Sequence, residues 1–126
     1  MTTVRLNALE SLDLEPAPNS VLVTFSGILK VQRRLTYLQG ATLAHALCEA
    51  YAGRDPAPVP AGEFGETLTA APIIGGVMLS VRTRHVVLQR RLTPDGVLAV
   101  VHALESALEV LECAAERTQA AKLAAG

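Results

Sequence analysis

The sequence predicts an α+β fold in which an antiparallel sheet packs with one face against helices. Two stretches, residues 21–26 and 77–82, alternate apolar and polar side chains, which is typical of half-buried strands. Helical apolar spacing follows each strand pair. A block of sequence also recurs, so we predict an internally duplicated hairpin–helix (ββα) unit.

The repeat is visible as two matched blocks. VQRRLTYLQGATLAHALCEA, residues 31–50, aligns without a gap with LQRRLTPDGVLAVVHALESA, residues 88–107. After a one-residue slip, ESLDLEPAPNSVLV from Glu10 aligns with ETLTAAPIIGGVML from Glu66. We therefore predict a single domain, 1–126, made of copies at about 10–52 and 66–120 with a connector at 53–65.

Each copy contains a predicted hairpin. In the first copy Val21, Val23 and Phe25 form one apolar face, Gly27 permits a tight turn, and a second alternating run follows it. The second copy repeats the pattern. Residues 67–72 are predicted to add a short strand, while residues 4–14 fit either a short helix or a strand.

Two helices are predicted after the hairpins. The first spans about Ala41 to Tyr51 and the second about Pro94 to Ala120. Thr93 is a suitable N-cap for the second helix, and Asp95 suits its positive N-terminal end. The alternating prolines of the connector exclude a helix and regular strand pairing there.

Composition narrows the class of protein. The net charge is −1, four residues are aromatic, and half are hydrophobic. Cys48 and Cys113 form no disulfide framework, the first residues lack the uninterrupted apolar run of a signal peptide, and no stretch approaches the ~20 apolar residues of a membrane span. These observations predict a cytoplasmic protein without a membrane partner.

Basic residues are concentrated in the hairpins. No Asp or Glu occurs between Pro16 and Cys48 or between Thr67 and Pro94. A basic open sheet face is typical of single-strand-binding folds, but those folds use stacking aromatics that are missing here. A solvated face, or one that binds protein, is the alternative. The predicted nucleic-acid or partner face comprises Lys30, Arg34, Arg82, Arg84 and Arg91.

Arg33 and Arg90 occupy equivalent positions in the two copies, and strand alternation turns both toward the apolar side. The simpler interpretation is a long side chain that snorkels at a strand end. The alternative is a buried ion pair across the two halves.

The polar side chains do not predict catalysis. His45 and His102 are equivalent in the repeat, yet neither has a second ligand at metal-binding spacing, and neither cysteine has an activating base. The acidic residues of the last helix are typical of a solvated face. We predict a protein that is not an enzyme and that has no metal or cofactor.

The last helix has a wider apolar surface than one sheet requires. Surplus apolar surface on a helix is typical of a contact with another chain. The sequence therefore predicts a homodimer, with a dimer or partner surface at Ala99, Ala103, Val110 and Ala114.

The sequence resembles two protein families. ALESLDLEPAPNSVLVTFSGIL and PIIGGVMLSVRTRHVVLQRRLTPDGVLAVVHALESALEVLE resemble the two ends of class I type III secretion chaperones. That family has three strands before its second helix and a short link after it, whereas two predicted strands and a long connector stand here. The element order also resembles the roadblock (dynein light chain-like) family, although ILKVQRR follows Gly27 where that family has small residues.

Both resemblances imply a small homodimeric module that holds another protein. We therefore predict a non-catalytic protein-binding adaptor or chaperone. The alternative is a single-stranded nucleic-acid-binding protein that uses the basic open face of the sheet.

Overall fold

A computed structural model describes residues 1–62 and 65–125 of the chain. Its elements form two sheets, each followed by a helix. Sheet A contains β1 (Thr2–Arg5), β2 (Ser11–Ala17), β3 (Ser20–Ser26) and β4 (Val31–Leu35), and α1 (Tyr37–Tyr51) follows it. Sheet B contains β5 (Val59–Pro60), β6 (Thr67–Ile73), β7 (Gly76–Arg82) and β8 (Val87–Leu92), and α2 (Pro94–Ala125) follows it.

The predicted α+β class is confirmed, with antiparallel pairing throughout both sheets. The strands form two four-stranded sheets, whereas a single sheet was predicted from the sequence. The order of four strands and a helix occurs twice, but the internal duplication itself stays a prediction.

Residues 4–14 form the end of β1, a turn and most of β2, so the strand alternative is correct and the helix alternative is wrong. The turn explains why. Asn7 Oδ1 accepts hydrogen bonds from the backbone N–H groups of Leu9 (2.9 Å) and Glu10 (3.0 Å). An asparagine that bonds the following backbone in this way favours a turn over a helix.

Both helices are longer than predicted. α1 begins at Tyr37 because Thr36 and Gln39 form a capping box, in which each side chain bonds the other residue's backbone N–H. Thr93 caps α2 as predicted, since its Oγ1 accepts from the N–H of Gly96 at 3.1 Å. α2 continues to Ala125.

The connector contains one short strand. Val59 and Pro60 pair with Leu68 and Thr67, so the prediction that no strand pairing occurs here was wrong for these two residues. β5 lies at the edge of sheet B, where a proline is tolerated because one side of the strand needs no partner. Residues 63 and 64 of the predicted connector lie outside the described residues.

Each helix packs mainly against the sheet of the other half of the chain, an arrangement that we call crosswise packing. Among the strands, α1 contacts mainly β6 of sheet B, and α2 contacts mainly β2 of sheet A, while the two helices also pack on each other. The buried apolar side chains of both halves form one cluster. Each sheet is therefore covered chiefly by the helix that belongs to the other half.

The inner, helix-facing rows of the sheets are apolar except for Arg33 on β4 and Arg90 on β8. In sheet B, for example, Leu68 lies opposite Val81 and Val81 opposite Leu88. Equivalent rows occur in sheet A, as the alternation predicted. None of the described helices is both long and apolar enough to span a membrane.

Candidate functional site

An open groove lies where the loops of sheet A meet the first residues of β8. Its volume is about 520 Å³. Large apolar side chains at its rim are exposed to solvent: Ile28 is 95% exposed and Leu9 is 74% exposed. Leu88 and Arg90 form its other side. We call it the β8 groove and define it by Leu9, Glu10, Ile28, Leu29, Leu88 and Arg90.

β8 is an edge strand. It pairs with β7 on one side, and no strand among residues 1–62 and 65–125 pairs with its other side. Leu88 and Arg90 are two residues apart, so both point to the same face of sheet B, and both line the groove. A strand added beside β8 would send every second side chain toward this groove.

An ion pair closes one side of the groove. Arg90 Nη1 lies 3.0 Å from Glu10 Oε2, and Arg90 is only 6% exposed. The same nitrogen donates to the carbonyl oxygen of Gln89 at 3.0 Å. Glu10 is also held by Asn7, whose Nδ2 donates to Glu10 Oε1 at 2.8 Å.

The equivalent pair occurs in the other half. Arg33 on β4 pairs with Glu66, which precedes β6, and Arg33 Nη1 also donates to the carbonyl oxygen of Gln32 at 2.7 Å. Each arginine thus reaches across to the other sheet. The ion-pair alternative is therefore correct for both arginines in place of the snorkelling interpretation, although only Arg90 is buried and Arg33 is half-buried.

The predicted basic face is divided between the two sheets. Arg34 lies on β4, and Lys30 lies in the loop that precedes it, whereas Arg82 ends β7, Arg91 lies on β8, and Arg84 lies in the turn between these two strands. All five side chains are exposed.

The outer face of sheet A is not purely basic. β2 adds Asp13, opposite Thr24, and Glu15, opposite Leu22. The prediction of a basic face did not include these two carboxylates, because Asp13 and Glu15 lie outside the acid-free stretches on which it was based. The polar side chains here also bond one another: Thr3 Oγ1 donates to Asp13 (2.8 Å), Gln32 Nε2 donates to Thr24 Oγ1 (3.0 Å), and Arg34 Nη1 donates to Ser20 Oγ (2.9 Å).

The outer face of sheet B differs. The register places Thr67, Arg82 and Val87 in one row, Thr69, Ser80 and Gln89 in the next, and Ala71, Met78 and Arg91 in a third. No carboxylate occurs in these rows. The side chains of the second row, with those of Thr67, Arg82 and Arg91, make no hydrogen bond or ion pair within the part of the chain that the structure describes.

The predicted partner surface on α2 is partly available. Ala99, Val110 and Ala114 are exposed. Ala103, in contrast, is only 3% exposed and belongs to the core cluster. The prediction is therefore wrong for Ala103, which its own chain already covers.

Glu112 on α2 accepts a hydrogen bond from the hydroxyl of Tyr37, the first residue of α1. This bond, together with desolvation and the nearby negative charge, raises the pKa of Tyr37 above its ordinary value. The contact fixes the start of α1 against the middle third of α2.

The other polar candidates are not assembled into a site. His45 is exposed on α1, where its Nε2 lies 3.6 Å from Glu49 Oε1, and His102 is exposed on α2. Cys48 and Cys113 are free and exposed. No group of three or more His, Cys, Asp or Glu side chains within the described ranges could hold a metal ion.

Sequence reasoning missed the β8 groove. Its strongest available signal was the pair Ile28–Leu29 directly after Gly27, since two large apolar residues in a turn have no partner within their own hairpin. The contribution of Leu9 and Glu10 could not be seen until β1 and β2 were recognised as strands.

No protein-family model, curated protein or solved structure matches the chain. The similarity to secretion chaperones and to roadblock proteins therefore stays an expectation.

Proposed function

We propose that the protein is a non-catalytic protein-binding adaptor or chaperone that holds an extended segment of a partner in the β8 groove. The observation that carries the proposal is the exposed apolar rim of Leu9, Ile28 and Leu29 beside an unpaired strand edge. Apolar side chains grouped around a groove favour a protein contact, and a strand edge supplies backbone hydrogen bonds to an extended chain.

The two parts of the groove have different roles in this proposal. The edge of β8 would align the backbone of the bound segment, which requires no particular sequence. The apolar rim would select segments whose alternate side chains are large and apolar, because those side chains would leave water at the rim. The Arg90–Glu10 pair keeps the end of the groove polar without a net charge.

We expect a labelled peptide in which leucine and threonine alternate over six residues, the length of β8, to bind the protein in a fluorescence anisotropy titration. Ile28→Asp should weaken this binding by roughly tenfold or more, because the carboxylate would be desolvated in the complex. Methylating alternate peptide amides should have a similar effect, since it removes the donors that pair with an edge strand.

Ile74→Asp is the matched control. Ile74 is fully exposed in the turn between β6 and β7, outside the groove, so its replacement should leave the affinity unchanged. Equal weakening by Ile28→Asp and Ile74→Asp, or no peptide binding to the natural protein, would contradict the proposed groove.

The proposal includes a homodimer that forms through the exposed flank of α2, at Ala99, Val110 and Ala114. In sedimentation velocity experiments we expect a dimer, and we expect Val110→Asp to raise its dissociation constant roughly tenfold by placing a charge in an apolar contact. Leu98 is an equally exposed apolar residue on a different face of α2, so Leu98→Asp should not affect the dimer. A natural protein that sediments as a monomer would remove the dimer from the proposal but would leave the groove untouched.

A further inference from the structure

The outer face of sheet B has the chemistry of an anion-binding surface. Over three adjacent strands, its rows offer hydroxyl and amide groups from Thr67, Thr69, Ser80 and Gln89. Thr69, Ser80 and Gln89 form the second row, between the row that holds Thr67 and Arg82 and the row that holds Arg91. Within the described residues, none of these side chains is engaged with another.

Sheet A shows that this arrangement is not a general property of the fold. At its outer face the guanidinium group of Arg34 donates to Ser20, and Asp13 accepts from Thr3 and from Ser26 (3.4 Å). Several polar groups of sheet A therefore bond one another, and Asp13 and Glu15 offset the positive charge of Arg5 and Arg34. In sheet B the corresponding donors form no hydrogen bonds with other described side chains, and the rows carry no carboxylate.

We propose that the outer face of sheet B binds the phosphate backbone of single-stranded nucleic acid. Arginine, serine, threonine and glutamine side chains are the groups that proteins use to contact phosphate and sugar. No aromatic residue lies on the face, so binding rests on the backbone and not on base stacking. This site is separate from the proposed protein-binding groove and does not depend on it.

The shape of the face favours a single strand over a duplex. Three strands about 4.8 Å apart, two of them seven residues long, give a surface about 10 Å wide and about 23 Å long. A flexible strand can follow such a surface and reach both arginines. A rigid duplex touches a flat surface along a narrow line and offers it fewer phosphates.

The test is fluorescence anisotropy with a labelled oligothymidylate of about 15 nucleotides, within the size that single-strand-binding folds cover. Two phosphate contacts give a slope of about −1.4 in a plot of log K against log salt concentration. A fourfold rise in salt concentration should then weaken binding about sevenfold. Arg82→Glu and Arg91→Glu should each abolish most of the binding.

Arg34→Glu is the matched control, because it changes the net charge equally but lies on sheet A. Its affinity for the oligonucleotide should stay within about twofold of the natural protein, since distant surface charges are screened by salt. The proposal does not depend on Arg84, which already interacts within the chain.

Three results would overturn the proposal: no binding at low salt, equal loss of binding in Arg34→Glu and Arg91→Glu, or equal affinity for a duplex of the same length. Peptide binding is also measured with the Arg91→Glu protein, and it should be unchanged because the two sites are separate. If the natural protein bound the peptide but not the oligonucleotide, this inference would be contradicted and the proposed function would be left standing.

Discussion

Replacing Gly76 by alanine is expected to lower the free energy of unfolding by about 3 kcal/mol or more. Gly76 begins β7 with a φ of +156°, a conformation that side chains other than glycine rarely adopt. An added Cβ would also overlap the carbonyl oxygen of Leu92, in the neighbouring strand β8. Because that oxygen belongs to the backbone of a paired strand, no side-chain rotation can relieve the overlap.

Gly75→Ala is the control for Gly76→Ala. Gly75 also has a positive φ, +85°, but no atom lies near the position of an added Cβ. Only the backbone preference is affected, so a loss of about 1 kcal/mol is expected. Urea denaturation followed by circular dichroism measures both variants. If the two losses were equal, close approach between β7 and β8 at Gly76 would not be the cause.

Removal of Glu10 should have the second largest effect. Glu10→Ala leaves the guanidinium group of Arg90 buried and without its carboxylate, and breaking a buried ion pair in this way costs about 3 kcal/mol. Arg90 Nε already has no hydrogen-bond partner among the described residues, so little remains to stabilise the charge. We expect a lower urea midpoint with an unchanged dependence on urea concentration.

Two further variants test the cause of this loss. Glu66→Ala should cost less, about 1 kcal/mol, because the side chain of Arg33 keeps 21% exposure and its charge can stay hydrated. The double variant Glu10→Ala with Arg90→Met should recover most of the stability, because an apolar side chain of similar length needs no counter-charge. A double variant as unstable as Glu10→Ala alone would show that the loss arises from packing.

Much of the fold could be predicted because alternation and capping are local signals. The apolar rows of β3 and β7, the N-cap at Thr93 and the inward direction of Arg33 and Arg90 all follow from spacing along the chain. The first strands were harder. Leu6–Leu12 has apolar residues at helical spacing, and only the side chain of Asn7, which bonds the backbone of Leu9 and Glu10, decides for a turn.

The candidate sites depend on contacts between distant segments, which spacing alone cannot predict. Glu10 and Arg90 are far apart in sequence, and their pairing requires the residues that precede β2 to lie beside β8. The division of the basic residues is a similar case. Arg34 and Arg91 occupy matching positions in the two aligned sequence blocks, yet Arg34 has Ser20 as a partner, and Glu15 lies in the same row of sheet A. The sequence around each arginine does not show which side chains the sheet places beside it.

The crosswise packing of the helices has a consequence for synthesis on the ribosome. All of sheet A is translated before α2, the helix that chiefly covers it. Until α2 emerges, much of the apolar side of sheet A lacks its native cover. During this interval the nascent polypeptide exposes apolar side chains that factors binding apolar segments can recognise, and sheet A completes its packing only after α2 has been made.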